Sequence, residues 1–261
     1  MPKMAANLTM LFTEVPFMQR FEAAAKAGFT HVEFLFPYDF DATELRAQLD
    51  NHGLKQVLHN LPAGDWAGGE RGIACHPNRV GEFAAGLERA VAYATTLGVT
   101  QLNCLAGIKP AGVSDEQAMA TLVSNMRVAA DQLKAAGIRL LLEPINSFDI
   151  PGFFVNTTAQ GIAVLDAVGS DNAFLQYDIY HAQRMEGELA NTIAKYLPRI
   201  GHMQLADNPA RNEPGTGEIN YAFLFAHLDA LGYQGTVGCE YKPKAATEAG
   251  LVWLKQFDVQ L

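Results

Sequence analysis

Eight short apolar runs, spread along the whole chain and separated by amphipathic helical stretches, constrain this sequence more than any other feature. They fall at residues 4–8, 31–34, 55–59, 101–105, 139–143, 174–178, 202–205 and 236–240. Each is rich in Leu, Val, Ile or Phe, as a strand covered on both faces should be. Helical patterns fill the gaps. FMQRFEAAAKA at 17–27 stops at Gly28, the stretch 82–97 stops at Gly98, and 116–136 stops at Gly137. Glycine at such a boundary tolerates the left-handed conformation of a C-terminal cap. Phe17 with Phe21 and Leu224 with Leu228 recur at helical spacing and read as core-facing surface. About eight strand–helix units in 261 residues predict an α/β protein, a (β/α)8 TIM barrel forming a single domain over residues 1–261. The runner-up is a doubly wound open sheet, but no GxGxxG follows the first strand.

Composition narrows the partners. The chain is 49% hydrophobic and 18% charged, too apolar for disorder. Nineteen Lys and Arg against 28 Asp and Glu give a formal charge of −9. A net anion is repelled by phosphate backbones and acidic lipid surfaces, so the expectation is no nucleic acid and no membrane. The three cysteines, Cys75, Cys104 and Cys239, show no CxxC spacing and suggest neither a disulfide framework nor a structural zinc site. No secretory leader pattern opens the chain and no apolar run is long enough to span a bilayer. A cytoplasmic, reduced protein is expected. Closed symmetric assemblies are common among soluble enzymes, which makes a homo-oligomer a base-rate expectation only.

In a barrel, chemistry sits at the C-terminal ends of the strands. The fifth run ends LLLEPIN and places Glu143 at its tip. The sixth ends FLQYDIYH, with Asp178 at the tip and His181 three residues on. The seventh, GHMQLAD, has Gln204 near its end. The eighth, TVGCEYK, carries Glu240 at its tip and Lys242 two beyond. Neighbouring strands lie about 4.8 Å apart, so these four oxygen-bearing side chains can converge. One acidic strand end is explained well enough as a solvated carboxylate. Four tips in succession are not, because facing carboxylates repel and raise their own pKa values. The set Glu143, Asp178, Gln204 and Glu240 therefore predicts a divalent metal ion, Mg²⁺ before zinc, with Mn²⁺ as the alternative.

These residues sit within longer strings that resemble the hydroxypyruvate isomerase family, within the xylose-isomerase-like barrel superfamily. The strings are AANLTMLF at 5–12, VEFLFPYDF at 32–40, HNLPAGDWAGGERGIAC at 59–75, EPINSFDIPGF at 143–153, QYDIYHAQRMEGEL at 176–189, ADNPARNEPGTGEINY at 206–221 and GCEYKP at 238–243. The resemblance runs essentially end to end. It implies a barrel, an isomerase activity, and Glu143 and Glu240 as the acid–base pair. Related sugar epimerases carry His where this chain has Gln204.

The reaction so implied interconverts hydroxypyruvate and tartronate semialdehyde (2-hydroxy-3-oxopropanoate). The expected route is an enediolate: one glutamate takes a proton from C3, the other delivers one to C2, and the cation stabilises the developing charge. The competing route is a metal-assisted hydride shift. A small carbonyl substrate bearing a carboxylate also needs a protein cation. Arg211, after the seventh strand, and Lys242 are the candidates. The plain alternatives are a surface charge for Arg211 and a structural ion pair for Lys242. By resemblance to related ketose isomerases and epimerases, His181 and Arg211 would contact substrate oxygens. A helix-start hydrogen bond is the plain alternative for His181. His59 ends the third run and lines the pocket or serves as a structural group. Glu33 orients a catalytic partner or simply bonds backbone at the rim, and Asn7 and Asn103 are similarly placed. The glycine-rich stretch 63–72, with Trp66 inside it, reads as a water-excluding lid or an ordinary long loop. PGTG at 214–217 lacks the GxxxxGK[ST] pattern of a phosphate cradle.

Other substrates fit the same reading: a 2-oxo-tetronate or a small ketose. Two other classes compete. A metal-dependent nuclease would want a basic groove and a His-rich multi-zinc site. A non-catalytic sugar-acid binder would leave two acid–base glutamates unexplained.

Overall fold

Strand order along the chain becomes strand order in space. The computed structural model describes residues 2–259 and 261. Its strands are β1 (Lys3–Asn7), β2 (His31–Glu33), β3 (Lys55–Asn60), β4 (Gln101–Cys104), β5 (Arg139–Leu142), β6 (Ala173–Asp178), β7 (Ile200–Leu205) and β8 (Thr236–Cys239). Each pairs in parallel with the next, and β8 closes on β1 through Lys3 opposite Thr236 and Ala6 opposite Cys239. This is the expected barrel in one domain, with every expected strand within two residues of its observed bounds.

The helices are α1 (Arg20–Lys26), α2 (Ala42–Asn51), α3 (Val80–Leu97), α4 (Asp115–Ala135), α5 (Thr158–Val168), α6 (Ile179–Met185), α7 (Leu189–Tyr196), α8 (Tyr221–Ala230), α9 (Thr247–Gly250) and α10 (Val252–Gln256). Ser114 and Thr157 start α4 and α5 with reciprocal capping boxes to Gln117 and Gln160, which satisfies backbone donors that no helical turn can reach. Gly98 ends α3 at φ 73°, as its position predicts. The first helix differs from expectation. Residues Phe17–Gln19 form a 3-10 turn before α1, entered from Pro16 without a side-chain cap.

The apolar core lies between the outer face of the barrel and the helices, and it includes Leu102, Leu140, Leu142, Leu175 and Met203 with Leu87, Ala90 and Met126. Phe21, Leu224 and Leu228 are buried there, while half-buried Phe17 stacks on Phe40 at 4.8 Å. All three cysteines are free and buried. Among the described residues no helix is long and apolar enough to cross a membrane.

Inside the barrel the composition changes. Asn7, Glu33, Asn60, Asn103, Gln176, Asp178, His202 and Gln204 are all buried. Polar groups withdrawn from water need partners, and here they find one another. Room is made by Gly238, where a Cβ would overlap the Glu33 carboxylate. Gly238→Ala should therefore push Glu33 aside and destabilise the fold by about 1–3 kcal/mol, the range of overpacking. Urea denaturation reads this, and an unchanged midpoint would mean that Glu33 has somewhere else to go.

Candidate active site

The C-terminal ends of the strands frame a cavity of about 240 Å³, lined among others by Asn60, Trp66, Glu143, His181, Arg211 and Glu240. Glu143 and Glu240, read as an acid–base pair, thus open into one chamber. Glu240 is held on both oxygens. Its Oε1 accepts from Arg211 at 2.6 Å, and its Oε2 accepts from Gln204 Nε2 at 2.5 Å and Asn7 Nδ2 at 3.2 Å. Glu143 is held by one donor, Asn103 Nδ2, at 2.9 Å on Oε2. The same Asn103 amide donates to Asn60 Oδ1 at 3.1 Å.

Behind Glu240 stands a second carboxylate. Glu33 accepts from Asn7 at 2.9 Å, from Gln204 at 2.8 Å and lies 2.7 Å from His202 Nε2. Two amide nitrogens, those of Asn7 and Gln204, therefore bridge Glu33 to Glu240. Alternation along β7 puts His202 on the same face as Gln204, a signal in the sequence that the reading of strand tips passed over.

Asp178 closes β6 and caps α6. Its Oδ1 accepts from the Tyr180 backbone N–H at 2.8 Å. Its Oδ2 is buried without a hydrogen-bond partner among the described residues. Burial raises the pKa of Glu143, reinforced by the charges of Glu240 and Asp178 and opposed by Arg211. Burial likewise raises Glu240 and Asp178, with Arg211 the largest opposing influence on each. Desolvated carboxylates gathered in one cavity resist full ionisation.

Arg211 is the cation of the cavity, within 2.6 Å of Glu240, 3.6 Å of Asp149 and 3.8 Å of Asp178. It projects from a loop organised on Asp207, whose carboxylate accepts from the backbone N–H groups of Asn208, Gly215, Gly217 and Ile219. The glycines of PGTG serve this carboxylate and not a phosphate. Arg211 itself sits at φ 58°, a left-handed conformation that is uncommon for a non-glycine residue. Its carbonyl accepts from the Lys242 N–H at 2.7 Å.

Two expectations are corrected. The Lys242 side chain is exposed and does not line the cavity; its contribution is the main-chain bond to Arg211. His59 faces away, because neighbouring strand residues point to opposite sides and Asn60 takes the cavity face. The His59 ring instead meets Tyr38 edge-on at 6.0 Å and Gln56 Nε2 at 3.2 Å, and burial pushes its pKa down to about 3. The 63–72 loop forms part of the rim: Trp66 packs on Phe36 at 4.9 Å, with the Arg71 guanidinium 4.4 Å from its ring.

A family model described as "Xylose isomerase-like TIM barrel" matches residues 21–257. The chain belongs to the xylose isomerase-like TIM barrel family. Within that family it is 56% identical over 257 residues to a hydroxypyruvate isomerase of Escherichia coli, covering 98% of this chain and 100% of the relative. It is 46% identical to a 2-oxo-tetronate isomerase of Cupriavidus necator, covering 98% and 99%. A solved structure from Brucella melitensis, described as an AP endonuclease of family 2, superposes with a TM-score of 0.96 at 44% identity, covering 98% and 99%. The near relatives named for an activity on small molecules are isomerases, and this chain is an isomerase of the same xylose isomerase-like family.

The residues fit a divalent cation. Asp178 Oδ2 is an orphaned buried acceptor, and ligand atoms of Glu143, Asp178 and His181 lie within 4.8 Å of one another. The charge of Arg211 opposes the raised pKa of Glu143, Asp178 and Glu240 alike. Gln204 is placed differently from expectation. Its amide nitrogen faces Glu240, while its oxygen accepts from Gln176 at 2.6 Å.

Proposed function

We propose that the chain interconverts hydroxypyruvate and tartronate semialdehyde by proton transfer between C3 and C2, with Glu143 and Glu240 as the acid–base pair. The observation that carries the substrate assignment is the 56% identity, over nearly the whole chain, to a hydroxypyruvate isomerase. The geometry supports the chemistry: both glutamates line one small cavity, and burial raises the pKa of each, which opposes ionisation of both at once. One glutamate removes a C3 proton to give an enediolate. The other, protonated, delivers to C2 while the C3 hydroxyl proton passes to the C2 oxygen, which leaves an aldehyde at C3 and a hydroxyl at C2. The pair ends with its protonation states exchanged, so the reaction runs in both directions.

Arg211 is the group for the substrate carboxylate. One of its Nη groups is taken by Glu240 Oε1, while its Nε–H is buried without a hydrogen-bond partner among the described residues. His181 supplies a second contact to a substrate oxygen. Trp66 at the rim helps to keep water from the enediolate. Glu143, Asp178 and Glu240 would hold a divalent ion of the Mg²⁺ or Mn²⁺ kind. Gln204 would join them only with its amide turned over, which withdraws the donor that Glu33 and Glu240 now accept from and requires the Gln176 amide to turn with it. The ion would supply Lewis-acid stabilisation of negative charge on substrate oxygens. Each glutamate must then keep an oxygen for the proton, since a bound dication lowers carboxylate basicity.

The test is a proton NMR assay of the purified protein on hydroxypyruvate and on a 2-oxo-tetronate, the substrate class named for the 46% relative. Higher kcat/KM on the three-carbon acid is expected; the reverse order would transfer the assignment to the four-carbon acid. Chelator should lower turnover about 10²-fold or more, and added Mg²⁺ or Mn²⁺ should restore it. Full activity after exhaustive chelation would remove the cation from the account. A nuclease reading gains nothing from the −9 charge or from a cavity whose protein cation is Arg211.

A further inference from the structure

We propose that Asn146 is a positioning residue that locks His181 in the tautomer protonated on Nε2, so that the ring enters the cavity as a neutral hydrogen-bond donor and not as a metal ligand. The orientation of the Asn146 amide is settled by its own turn. Its Oδ1 accepts from the backbone N–H groups of Phe148 at 3.1 Å and Asp149 at 2.8 Å. The oxygen is thereby committed, and Nδ2 is the end that faces the histidine, 2.6 Å from His181 Nδ1. The Asn146 backbone N–H points at the same ring nitrogen at 3.5 Å. Two N–H groups aimed at Nδ1 make it an acceptor. A neutral imidazole carries one proton, which must then sit on Nε2.

That proton faces the chemistry. His181 Nε2 lies 3.5 Å from Asp178 Oδ2 and 3.9 Å from Glu143 Oε1, and the ring lines the cavity. The opposite tautomer would aim a lone pair at two carboxylates and at any substrate oxygen between them. A protonated nitrogen has no lone pair for a cation. Of the three side chains whose ligand atoms cluster within 4.8 Å, only the carboxylates of Glu143 and Asp178 are then available to a metal. The role left to His181 is to donate to a substrate oxygen that gains charge as the enediolate forms. Sequence reasoning could not reach this, because Asn146 looks like one more polar residue in a loop.

The inference rests on the proposed function only in its kinetic arm, since the tautomer is readable without substrate. Asn146→Asp keeps the turn acceptor for Phe148 and Asp149 but sets a carboxylate oxygen against Nδ1, where it draws the proton. With ¹⁵N-histidine-labelled protein, long-range ¹H–¹⁵N correlation spectra report which ring nitrogen is protonated. His181 is identified among the seven histidines by the signals lost in His181→Gln. The expected wild-type result is Nε2–H, both after chelation and with excess Mg²⁺. Asn146→Asp is expected to show Nδ1–H, with kcat lowered roughly 10²-fold, as for a lost oxyanion donor, and KM changed far less. Wild-type Nδ1–H, any other state in the variant, or a flipped tautomer with normal kcat would each overturn the proposal. Failure of the wild type to isomerise hydroxypyruvate would instead count against the proposed function and leave the spectra to decide the tautomer.

Discussion

Glu143→Gln lowers kcat on hydroxypyruvate by about 10²–10⁴-fold, the loss expected when a positioned acid–base group is removed, and leaves the fold intact. The substitution keeps shape and volume. Asn103 Nδ2, now 2.9 Å from Oε2, finds an amide oxygen in the same place. What disappears is the titratable proton, so kcat and kcat/KM fall together. Glu240→Gln falls as far or further, for a second reason. Glu240 accepts on both oxygens, from Arg211 on one and from Gln204 and Asn7 on the other. An amide in its place must turn its NH₂ toward one of those donor sets. Circular dichroism and kinetics on the two variants separate these effects. A near-normal rate in Glu143→Gln would discard its role outright.

Arg211→Met destabilises the protein by about 3–5 kcal/mol at neutral pH, as when one partner of a buried ion pair is deleted. The methionine fills comparable space but leaves Glu240 and Asp178 without their compensating charge. The pH dependence has a definite sign. Arg211 lowers the carboxyl pKa values of Glu143, Asp178 and Glu240, so its loss raises them further above their unfolded values. Groups with raised acid pKa values bind more protons when folded, and such a state loses stability as pH rises. The deficit should therefore shrink on acidification and grow toward alkaline pH. Urea denaturation across pH 5 to 8, with chelator present, measures it. A deficit independent of pH would show that Arg211 acts through packing alone.

The barrel was legible because its signal is local and repeated. Each run such as RLLLE or FLQYD is short, apolar and followed by a helical pattern, and a parallel barrel needs nothing more to specify strand order. The tips carrying Glu143, Asp178, Gln204 and Glu240 were legible for the same reason, since a strand end can be located from its run. His59 was misread because a one-residue error in facing carries a side chain to the other side of the sheet, and Asn60 was the residue facing in. β3 also meets β2 through a register shift between Val32 and Glu33, which no local pattern announces. Glu33 and His202 are 169 positions apart and 2.7 Å apart in space. Contacts at that separation follow from closure of the ring and from the space left by Gly238, not from any motif. Lys242 had the right charge at the right end of β8, but the chain turns its N–H inward to Arg211 and its side chain out.

The two-glutamate account is tested most directly by isomerising hydroxypyruvate in D₂O and reading C2 of the tartronate semialdehyde by NMR, in a rapidly quenched single turnover. The proton taken from C3 and the proton given to C2 belong to different carboxyl groups, and the donor has equilibrated with solvent before substrate binds. Deuterium should therefore occupy C2 in essentially every product molecule. Product that keeps the original hydrogen, moved intact from C3 to C2, would mean a hydride shift and would contradict proton exchange through Glu143 and Glu240.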